Sequence, residues 1–449
     1  MKSSIYNICI QTDGCNSIIF NALKGTSILV DSEMKTAIES NSLEMICPED
    51  LFTLVDSGFL VEDDLDERNV YAFEHNQNKY STDISSFLVL PTLSCNLSCP
   101  YCYEDSLNIS RSRSMDRNIA ENVTNFIKNQ VMENHSRSVV LGLYGGEPLL
   151  ESDLCIQIAE SISKWTMSRG LNYFSALTTN GTMLSQETFD KLRPFISSVH
   201  FTLDGPEEEH NKMRFYKGGR GTYSDLMKAI SLAGESNIHL TVRIHIGDRT
   251  GQGDFAKVLG DLEAIGLRGR PRTYLYFMPI EPKDECFNTS SKKSLRRKLK
   301  NIELLPCIWN MARELGWGES LHVDAGQEHS LLPFSRLPCG FLKNGCYVID
   351  PSARLYSCPS VAGIERYSVG SISQDGTAIW LPSYYDAITA SPTDATACKD
   401  CSHLPLCNGG CPVRPSSAQE PDGCHLKEFY NKKILTHLAH KYPTLIWGT

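Results

Sequence analysis

The chain from Ser86 onward alternates short apolar runs with longer segments whose apolar residues recur every three or four positions. One such segment places Ile158, Ile162 and Trp165 on a single stripe, which is the spacing of an amphipathic helix. Six apolar runs predict strands at residues 87–90, 139–144, 173–178, 199–203, 238–246 and 273–278. Strands that alternate with helices are typical of βα units and a parallel sheet. The pattern therefore predicts an α/β fold, a partial (β/α)6 barrel with its reactive groups at the C-terminal ends of the strands.

Residues 1–84 follow a different pattern, which predicts a small α+β module. Three apolar runs predict strands and two amphipathic segments predict helices, at residues 6–10, 17–20, 27–30, 33–40 and 48–57. The acidic run Glu62–Glu67 and the polar residues up to about Asp83 show no apolar period. We expect a turn and a linker there.

The βα rhythm ends at about residue 317, and the chain then becomes rich in turns and cysteines. Residues 290–315 are helical in tendency with a basic face, and Pro306 is expected to break that helix. The sequence thus predicts an N-terminal module over 1–84, the barrel over 85–316 and a cysteine-rich domain over 317–449.

Composition narrows the class of partner. The 449 residues are 41% hydrophobic and 21% charged, which is ordinary for a globular protein. A formal charge of −10 argues against nucleic-acid binding and against adsorption to an anionic membrane. No run of eighteen apolar residues and no signal-like N-terminus is present in the sequence, so we expect no membrane association and a cytoplasmic location. Seventeen cysteines are many for a reducing compartment, and their clustering indicates metal or cluster ligation.

Cys95, Cys99 and Cys102 form a CxxxCxxC motif directly after the first barrel strand. Three thiolates at this spacing can bind three irons of a cubane cluster and leave the fourth iron open for chemistry, whereas a closed structural site requires four ligands. A zinc loop with a distant fourth ligand is the alternative. The motif resembles the cluster motif of the radical S-adenosylmethionine (radical SAM) enzymes.

Three further motifs follow the next three strands and match the same family in register. They are Gly145-Gly146-Glu147-Pro148, Thr178-Thr179-Asn180-Gly181-Thr182, and Thr202-Leu203-Asp204-Gly205-Pro206 with Arg214 twelve residues past Thr202. The resemblance implies that the first motif binds the amino group of the cofactor's methionine and that Thr179 and Asn180 belong to the same pocket. It further implies that Thr202, which replaces a serine, and Arg214 contact ribose and carboxylate in a segment that includes Asp204. Tyr101 is expected to lie against the adenine.

The C-terminal cysteines resemble the SPASM extension of radical SAM peptide-modifying enzymes. The resemblance assigns Cys339, Cys346, Cys358 and Cys411 to one closed four-iron cluster, and Cys398, Cys401, Cys407 and Cys424 to a second. Two zinc sites are the alternative for this region considered alone. Ala353 stands where the family usually has glycine in a hairpin before the cysteine. Six other cysteines, Cys9, Cys15, Cys47, Cys155, Cys286 and Cys307, are expected to be small buried hydrophobic residues.

The resemblance implies three [4Fe–4S] clusters and S-adenosylmethionine, which is cleaved reductively to a 5′-deoxyadenosyl radical that removes hydrogen from a substrate. The expected substrate is a ribosomally made precursor peptide, and the product a thioether or carbon–carbon crosslink or an epimerised residue. A flavodoxin- or ferredoxin-type protein is the expected reductant, and no catalytic side chain is predicted.

Two alternatives stand beside this interpretation. One is an anaerobic sulfatase-maturing enzyme, which makes formylglycine; against it, Pro359 follows Cys358 where those enzymes carry an aspartate. The other is a non-catalytic zinc or electron-transfer protein.

The element order of residues 1–84 resembles the small winged-helix modules that recognise leader peptides in this class. Such a module binds an extended peptide along a sheet edge. A structural cap over the open edge of the barrel is the alternative, and the sequence leaves both open.

Overall fold

The computed structural model describes residues 1–12, 16–102, 104, 113–247, 252–280, 300–321, 339–340, 343–411, 424 and 426–441. Within these residues the strands are β1 (Lys2–Ser3), β2 (Asn7–Gln11), β3 (Ser17–Asn21), β4 (Thr26–Val30), β5 (Leu60–Val61), β6 (Ile84–Val89), β7 (Ser138–Leu143), β8 (Asn172–Thr178), β9 (Ser198–Leu203), β10 (His239–Ile246), β11 (Thr273–Pro279), β12 (Cys346–Ile349), β13 (Arg354–Tyr356), β14 (Gly370–Ile372) and β15 (Ala378–Trp380). The α-helices are α1 (Ser32–Glu39), α2 (Pro48–Asp56), α3 (Glu67–Tyr80), α4 (Arg117–Glu133), α5 (Ser152–Arg169), α6 (Gln186–Leu192), α7 (Glu207–Met213), α8 (Tyr223–Gly234), α9 (Gln252–Ala264), α10 (Leu305–Glu314), α11 (Pro382–Thr389), α12 (Thr396–Lys399), α13 (Leu404–Cys407) and α14 (Leu426–Lys441).

The six predicted barrel strands are confirmed as β6 to β11, which are parallel, with each strand from β7 to β11 paired to the one before it. Helices α4, α5, α6, α8 and α9 lie between them in sequence, as predicted. Alternate residues of the strands face a continuous core, in which Phe87 packs edge-on against Phe126 of α4 at 6.0 Å between ring centroids. Because every crossover places its helix in sequence between neighbouring parallel strands, the six units form the predicted partial barrel.

The sheet continues from the barrel into the cysteine-rich region. Strand β12 pairs parallel with β6, with Cys346 beside Ser86, and β13, β14 and β15 follow antiparallel to give a ten-stranded sheet. Tyr347 packs against Phe126 at 5.8 Å between ring centroids. The first barrel strand is thus paired on both sides, and the predicted third domain shares its sheet and core with the barrel.

The turn between β12 and β13 is organised by Asp350. Its Oδ1 accepts hydrogen bonds from the backbone N–H groups of Ser352 (2.8 Å) and Arg354 (3.0 Å), and Tyr356 donates to Oδ2 at 3.2 Å. Ala353 has φ +60°, in the left-handed region that favours glycine. The turn that the family builds with glycine therefore forms here with alanine.

Residues 1–61 form the predicted α+β module around the antiparallel sheet β2-β3-β4. One face of the sheet, including Ile19, packs with residues of α1 and α2. The other face, including Ile8 and Phe20, packs with Leu404 and Ile434 of the cysteine-rich region. The module is therefore held against the C-terminal part of the chain by a shared apolar core.

The prediction of a linker before the barrel is wrong, because residues 67–80 form the fourteen-residue helix α3. Asp66 caps its N-terminus by accepting a hydrogen bond from the backbone N–H of Arg68 at 3.0 Å. The buried residues of α3 are Glu67, Tyr71, His75 and Lys79, so the helical period is carried mostly by polar side chains. An analysis of apolar periodicity cannot detect such a helix.

Pro306 breaks the helical run as expected: residues 300–303 are helical, Leu304 is a turn, and the new helix α10 begins at Leu305 with Pro306 in its first turn, where a missing N–H leaves no bond unmade. Residues 290–299 of the predicted basic helix lie outside the described residues. Cys155 is buried as expected, whereas Cys47 and Cys307 are exposed, so burial was the wrong expectation for these two; Cys9 is half-buried, and Cys15 and Cys286 lie outside the described residues. No helix within the described ranges is long and apolar enough to cross a membrane.

We predict that Asp350→Ala lowers the free energy of unfolding by about 2 kcal/mol, because two backbone N–H groups and the Tyr356 hydroxyl lose a buried acceptor. Urea unfolding followed by circular dichroism measures the change. Asp375→Ala is the matched control, since Asp375 accepts equivalent bonds from Ser373 and Thr377 in an exposed turn where water replaces them. Equal effects of the two substitutions would contradict the role assigned to Asp350.

Candidate active site

A cavity of about 290 Å³ lies at the C-terminal ends of the barrel strands. The predicted residues that line it are Cys95, Cys99, Tyr101, Cys102, Gly145, Gly146, Thr179, Asn180, Thr202 and Arg214. Three others, Glu147, Pro148 and Asp204, are buried behind this lining. The four motifs that the sequence places after four successive strands thus meet at one site.

The CxxxCxxC loop brings its three thiols to the cavity wall. Burial raises the pKa of Cys95 and that of Cys99, the latter to about 12, because a thiolate is poorly solvated there. The Cys95 Sγ accepts hydrogen bonds from the backbone N–H of Leu97 (3.4 Å) and from the Asn180 amide (3.7 Å). Bound iron would supply the positive charge that stabilises these thiolates.

No group of three His, Cys, Asp or Glu side chains in the described part of the chain converges on a point that could hold one metal ion. A four-iron cluster differs from such a site, because its cysteine thiolates bind separate irons.

Gly145 and Gly146 lie tightly against the segment that enters the cysteine loop. A Cβ at Gly146 would be 2.2 Å from the carbonyl oxygen of Ser94, and a Cβ at Gly145 would be 2.3 Å from that of Thr92. The N–H groups of Gly146 and Glu147 donate to those same oxygens at 3.2 and 2.8 Å. The glycines therefore fix the loop that carries Cys95, in addition to lining the cavity.

Glu147 connects the second and third motifs. Its carboxylate accepts hydrogen bonds from the Thr179 hydroxyl (2.6 Å), the Asn180 N–H (2.7 Å) and the Leu149 N–H (3.0 Å). Burial raises the pKa of Glu147, and these three hydrogen bonds oppose the rise. Since a carboxylate has about four acceptor positions, roughly one remains for a further donor such as an ammonium group.

A hydrogen-bonded chain crosses the other side of the cavity. Arg214 Nη1 donates to the Tyr101 hydroxyl at 2.8 Å, and that hydroxyl donates to Asp204 Oδ2 at 2.5 Å. Asp204 Oδ1 lies 2.6 Å from His245 Nδ1. Burial alone would raise the pKa of Asp204, but His245 and Arg214 hold it well below its usual range. The carboxylate is thus charged, and it fixes the position of both Tyr101 and His245.

Sequence reasoning missed several residues of the cavity lining, among them Tyr144, Arg243, His245, Met278 and Ser360. A signal was present for two of them. Arg243 and His245 occupy alternate positions near the end of β10, where they alternate with the buried residues Val242, Ile244 and Ile246. Polar residues at every second position near a strand's C-terminal end indicate a site-facing side.

The second predicted set of C-terminal cysteines is brought together. Burial raises the pKa of Cys407 to about 12, and the nearby thiols of Cys401, Cys398 and Cys424 add to the rise. Cys398 is likewise influenced by Cys401 and Cys424. The four side chains therefore share one environment at the interface with the N-terminal module.

The first set is brought together in part. Burial raises the pKa of Cys346, and the nearby Cys339 adds to it. Val348 pairs with Tyr356 across β12 and β13, and the same register extended by two residues places Cys358 opposite Cys346. Cys411 is exposed, and its membership of this set stays a prediction.

Comparison with known proteins identifies a domain within the chain. Residues 89–262 match the model of the Radical SAM superfamily. The chain contains a Radical SAM domain. It is 24% identical over 377 residues to a cysteine-type anaerobic sulfatase-maturating enzyme of Clostridium novyi (strain NT), a match that covers 79% of this chain and 97% of that one.

Two solved structures are similar to this protein in fold. Native anSMEcpe with bound AdoMet and Cp18Cys peptide superimposes with a TM-score of 0.59 at 20% identity, over 81% of this chain and 98% of its own. Streptococcus suis SuiB bound to precursor peptide SuiA superimposes with a TM-score of 0.52 at 13% identity, over 92% of this chain and 95% of its own.

A Radical SAM domain implies a four-iron cluster and S-adenosylmethionine. The residues present fit both groups. Three half-buried thiols line one cavity, and two glycines at its wall allow close packing of the segment that leads into Cys95. The assignment of individual residues to cluster and cofactor stays a prediction.

We predict that Gly146→Ala removes the cluster at this site, about 4 iron atoms per chain, because the new Cβ displaces the backbone of Ser94 next to Cys95. Iron analysis and equilibrium binding of S-adenosylmethionine measure the effect. Gly218→Ala is the control, since no heavy atom lies within 4 Å of its Cβ. Full iron content and normal cofactor binding in Gly146→Ala would contradict the packing argument.

Proposed function

We propose that this radical SAM enzyme is a maturase of the SPASM type that modifies a ribosomally made precursor peptide. The modification is a thioether or carbon–carbon crosslink, or an epimerisation. The observation that carries the proposal is the meeting of four motifs at one cavity, together with a cysteine-rich region built onto the barrel's first strand. A peptide substrate agrees with the relatives, since anSMEcpe and SuiB are both described with bound peptides.

We propose three [4Fe–4S] clusters, held by the eleven cysteines assigned above. Cys95, Cys99 and Cys102 would hold the cluster that binds S-adenosylmethionine, and the two C-terminal sets would hold closed auxiliary clusters. The proximity of Cys398, Cys401, Cys407 and Cys424 supports the second auxiliary set most directly. We propose a flavodoxin- or ferredoxin-type reductant and a cytoplasmic location, where thiols stay reduced.

The cofactors supply the electron and the radical chemistry, and the protein supplies position and exclusion of water. Asn180 orients Cys95, and Glu147 retains about one acceptor position for the cofactor's ammonium group. Asp204 holds Tyr101 and His245 at the cavity wall. Arg214 adds a cation there; burial alone would lower its pKa, but Tyr101 and Asp204 raise it. A fixed guanidinium suits a carboxylate.

A sulfatase-maturing activity is the second candidate, because named relatives have it. Against it, Pro359 follows Cys358, and the next residue at the cavity wall is Ser360, so this segment provides no carboxylate there. Incubation with sulfatase-derived peptides that carry cysteine or serine, with mass spectrometry for formylglycine, distinguishes the two activities.

The N-terminal module is proposed to recognise the leader of the precursor peptide. The SuiB match leaves only about 36 residues of this chain uncovered, so it must include part of residues 1–84. Within the described residues β4 is an edge of the three-stranded sheet, and Leu29 on that strand is 44% exposed. An edge strand offers main-chain pairing to an extended peptide, and an exposed apolar side chain offers selectivity.

We predict that replacing Cys95, Cys99 and Cys102 by alanine lowers iron from about 12 to about 8 atoms per chain and abolishes reductive formation of 5′-deoxyadenosine, while the fold persists. The reason is that the triplet lies on a loop, whereas the barrel core is formed by strands and helices elsewhere. Iron and zinc analysis with chromatography of the nucleoside product measures this. Unchanged 5′-deoxyadenosine formation would refute the assignment, and zinc in place of iron would favour the non-catalytic alternative.

We predict that Leu29→Glu weakens binding of the precursor peptide about tenfold, equivalent to about 1.4 kcal/mol, and leaves substrate-free cofactor cleavage unchanged. Fluorescence anisotropy with a labelled peptide encoded beside this chain measures affinity. Phe52→Glu, on exposed α2, is the matched control. Point substitution is preferable to deletion of 1–84, which would uncover the apolar face that packs on Leu404 and Ile434. Unaltered affinity would favour a purely structural module.

A further inference from the structure

One face of helix α3 buries a row of polar side chains against the rest of the protein. Glu67, Tyr71, His75 and Lys79 follow one another at the four-residue spacing of a helix face, and they are 3%, 2%, 2% and 1% exposed. Burying such groups costs free energy unless each one is compensated. The four side chains differ in the hydrogen bonds and nearby charges that compensate their burial.

The N-terminal module provides the hydrogen bonds that compensate the burial of Glu67, at the start of the row. Its carboxylate accepts hydrogen bonds from the Ser4 hydroxyl at 2.5 Å and from the Ile5 N–H at 2.8 Å. It therefore anchors the first residues of the chain to α3.

Tyr71 places α3 directly against the second auxiliary set of cysteines. Its hydroxyl donates to Asn408 Oδ1 at 3.0 Å, and Asn408 follows Cys407 in the chain. Tyr71 also belongs to the apolar cluster that contains Cys398. His75, one turn further, stacks on Tyr71 with 5.6 Å between ring centroids.

Lys79, at the end of the row, is a buried cation without a close counter-ion. Its Nζ donates to the carbonyl oxygen of Ala390 at 2.5 Å and lies 5.4 Å from the centroid of the Tyr80 ring. In the described part of the chain no carboxylate is within ion-pair distance of it, and Asp394 acts on it only from farther away. Negative charge nearby would stabilise a buried ammonium group in this setting.

A thiolate-ligated iron–sulfur cluster is a source of such charge. The segment that begins at Ala390, which Lys79 holds, leads directly into α12 and Cys398. Tyr71 lies against the cysteines, and Lys79 lies eight residues, or about 12 Å, further along the helix. At that separation and an effective dielectric constant of about 20, one unit charge changes a one-electron equilibrium about tenfold.

We propose that Lys79 is a positioning and charge-compensating residue for the cluster held by Cys398, Cys401, Cys407 and Cys424, and that its charge raises this cluster's reduction potential. Reduction adds negative charge to the cluster, so a fixed cation favours the reduced form, and net charge and burial are recognised determinants of such potentials. The inference rests on the auxiliary cluster of the proposed function. It assigns to α3 the role of setting how readily that cluster accepts an electron.

The test uses the full chain with Cys95→Ala, Cys99→Ala and Cys102→Ala, so that only auxiliary clusters remain. Anaerobic redox titration followed by electron paramagnetic resonance gives their potentials. Lys79→Gln removes the charge and keeps a donor for Ala390, and Lys79→Met keeps the length of the stem. We expect the reduction potential of one auxiliary cluster to fall by about 59 mV, which corresponds to a tenfold change in a one-electron reduction equilibrium. Iron content stays unchanged.

Two further variants make the result specific. Lys164→Gln, an exposed lysine on α5 paired with Glu160 at 2.7 Å, is the matched control and should leave both potentials unchanged. Cys401→Ala in the same background should eliminate the signal that Lys79 shifts and so identify the cluster.

An unchanged potential with full iron content would overturn the inference while leaving the cluster assignment intact. Loss of folding or of iron in both Lys79 variants would overturn it as well, because the lysine would then be structural. Absence of auxiliary clusters from the background protein would overturn the cluster assignment itself.

Discussion

Backbone pairing along β6 is the interaction on which the rest of the structure depends. This strand pairs with β7 on one side and with β12 on the other, through bonds such as Tyr144 N–H to Val89 O at 3.0 Å and Leu90 N–H to Ile349 O at 2.9 Å. Its C-terminal end leads into the CxxxCxxC loop. One strand therefore sets where the loop begins, where the glycine motif meets it, and where the cysteine-rich hairpin is attached.

The site is built largely from polar groups that bind one another before any ligand is considered. Glu147 and Asp204 are both buried, and each holds two or more neighbours in place. Such preorganised charges lose little free energy to rearrangement when a ligand enters. The motif residues behind the lining are thus as necessary to the shape of the cavity as those that face it.

The sequence predicted the barrel well because its strands and helices carry strong apolar periods, and because Cys95, Gly145, Thr179 and Thr202 each lie near the C-terminal end of a strand. It did not predict α3, since the period there is carried mostly by polar side chains, and two residues of the row, Tyr71 and Lys79, bond partners more than three hundred residues away. His245 and Arg243 were missed because the alternation of polar and apolar residues along β10 shows which residues share a side of the strand but not what that side faces. The hydrogen bonds of Glu147 to Thr179 and Asn180 likewise join segments that only the folded sheet brings together.

The packing of the N-terminal sheet against α13 and α14 has a consequence for synthesis of the protein. Ile8 and Phe20 complete their core with Leu404 and Ile434, which leave the ribosome nearly four hundred residues later. Contacts so distant in sequence form slowly, and until they form the early sheet exposes an apolar face together with unpaired strand edges. Newly made chains should therefore depend on chaperones. Growth at higher temperature should reduce the soluble yield, because the exposed face of this first sheet aggregates at temperatures that do not yet affect the barrel.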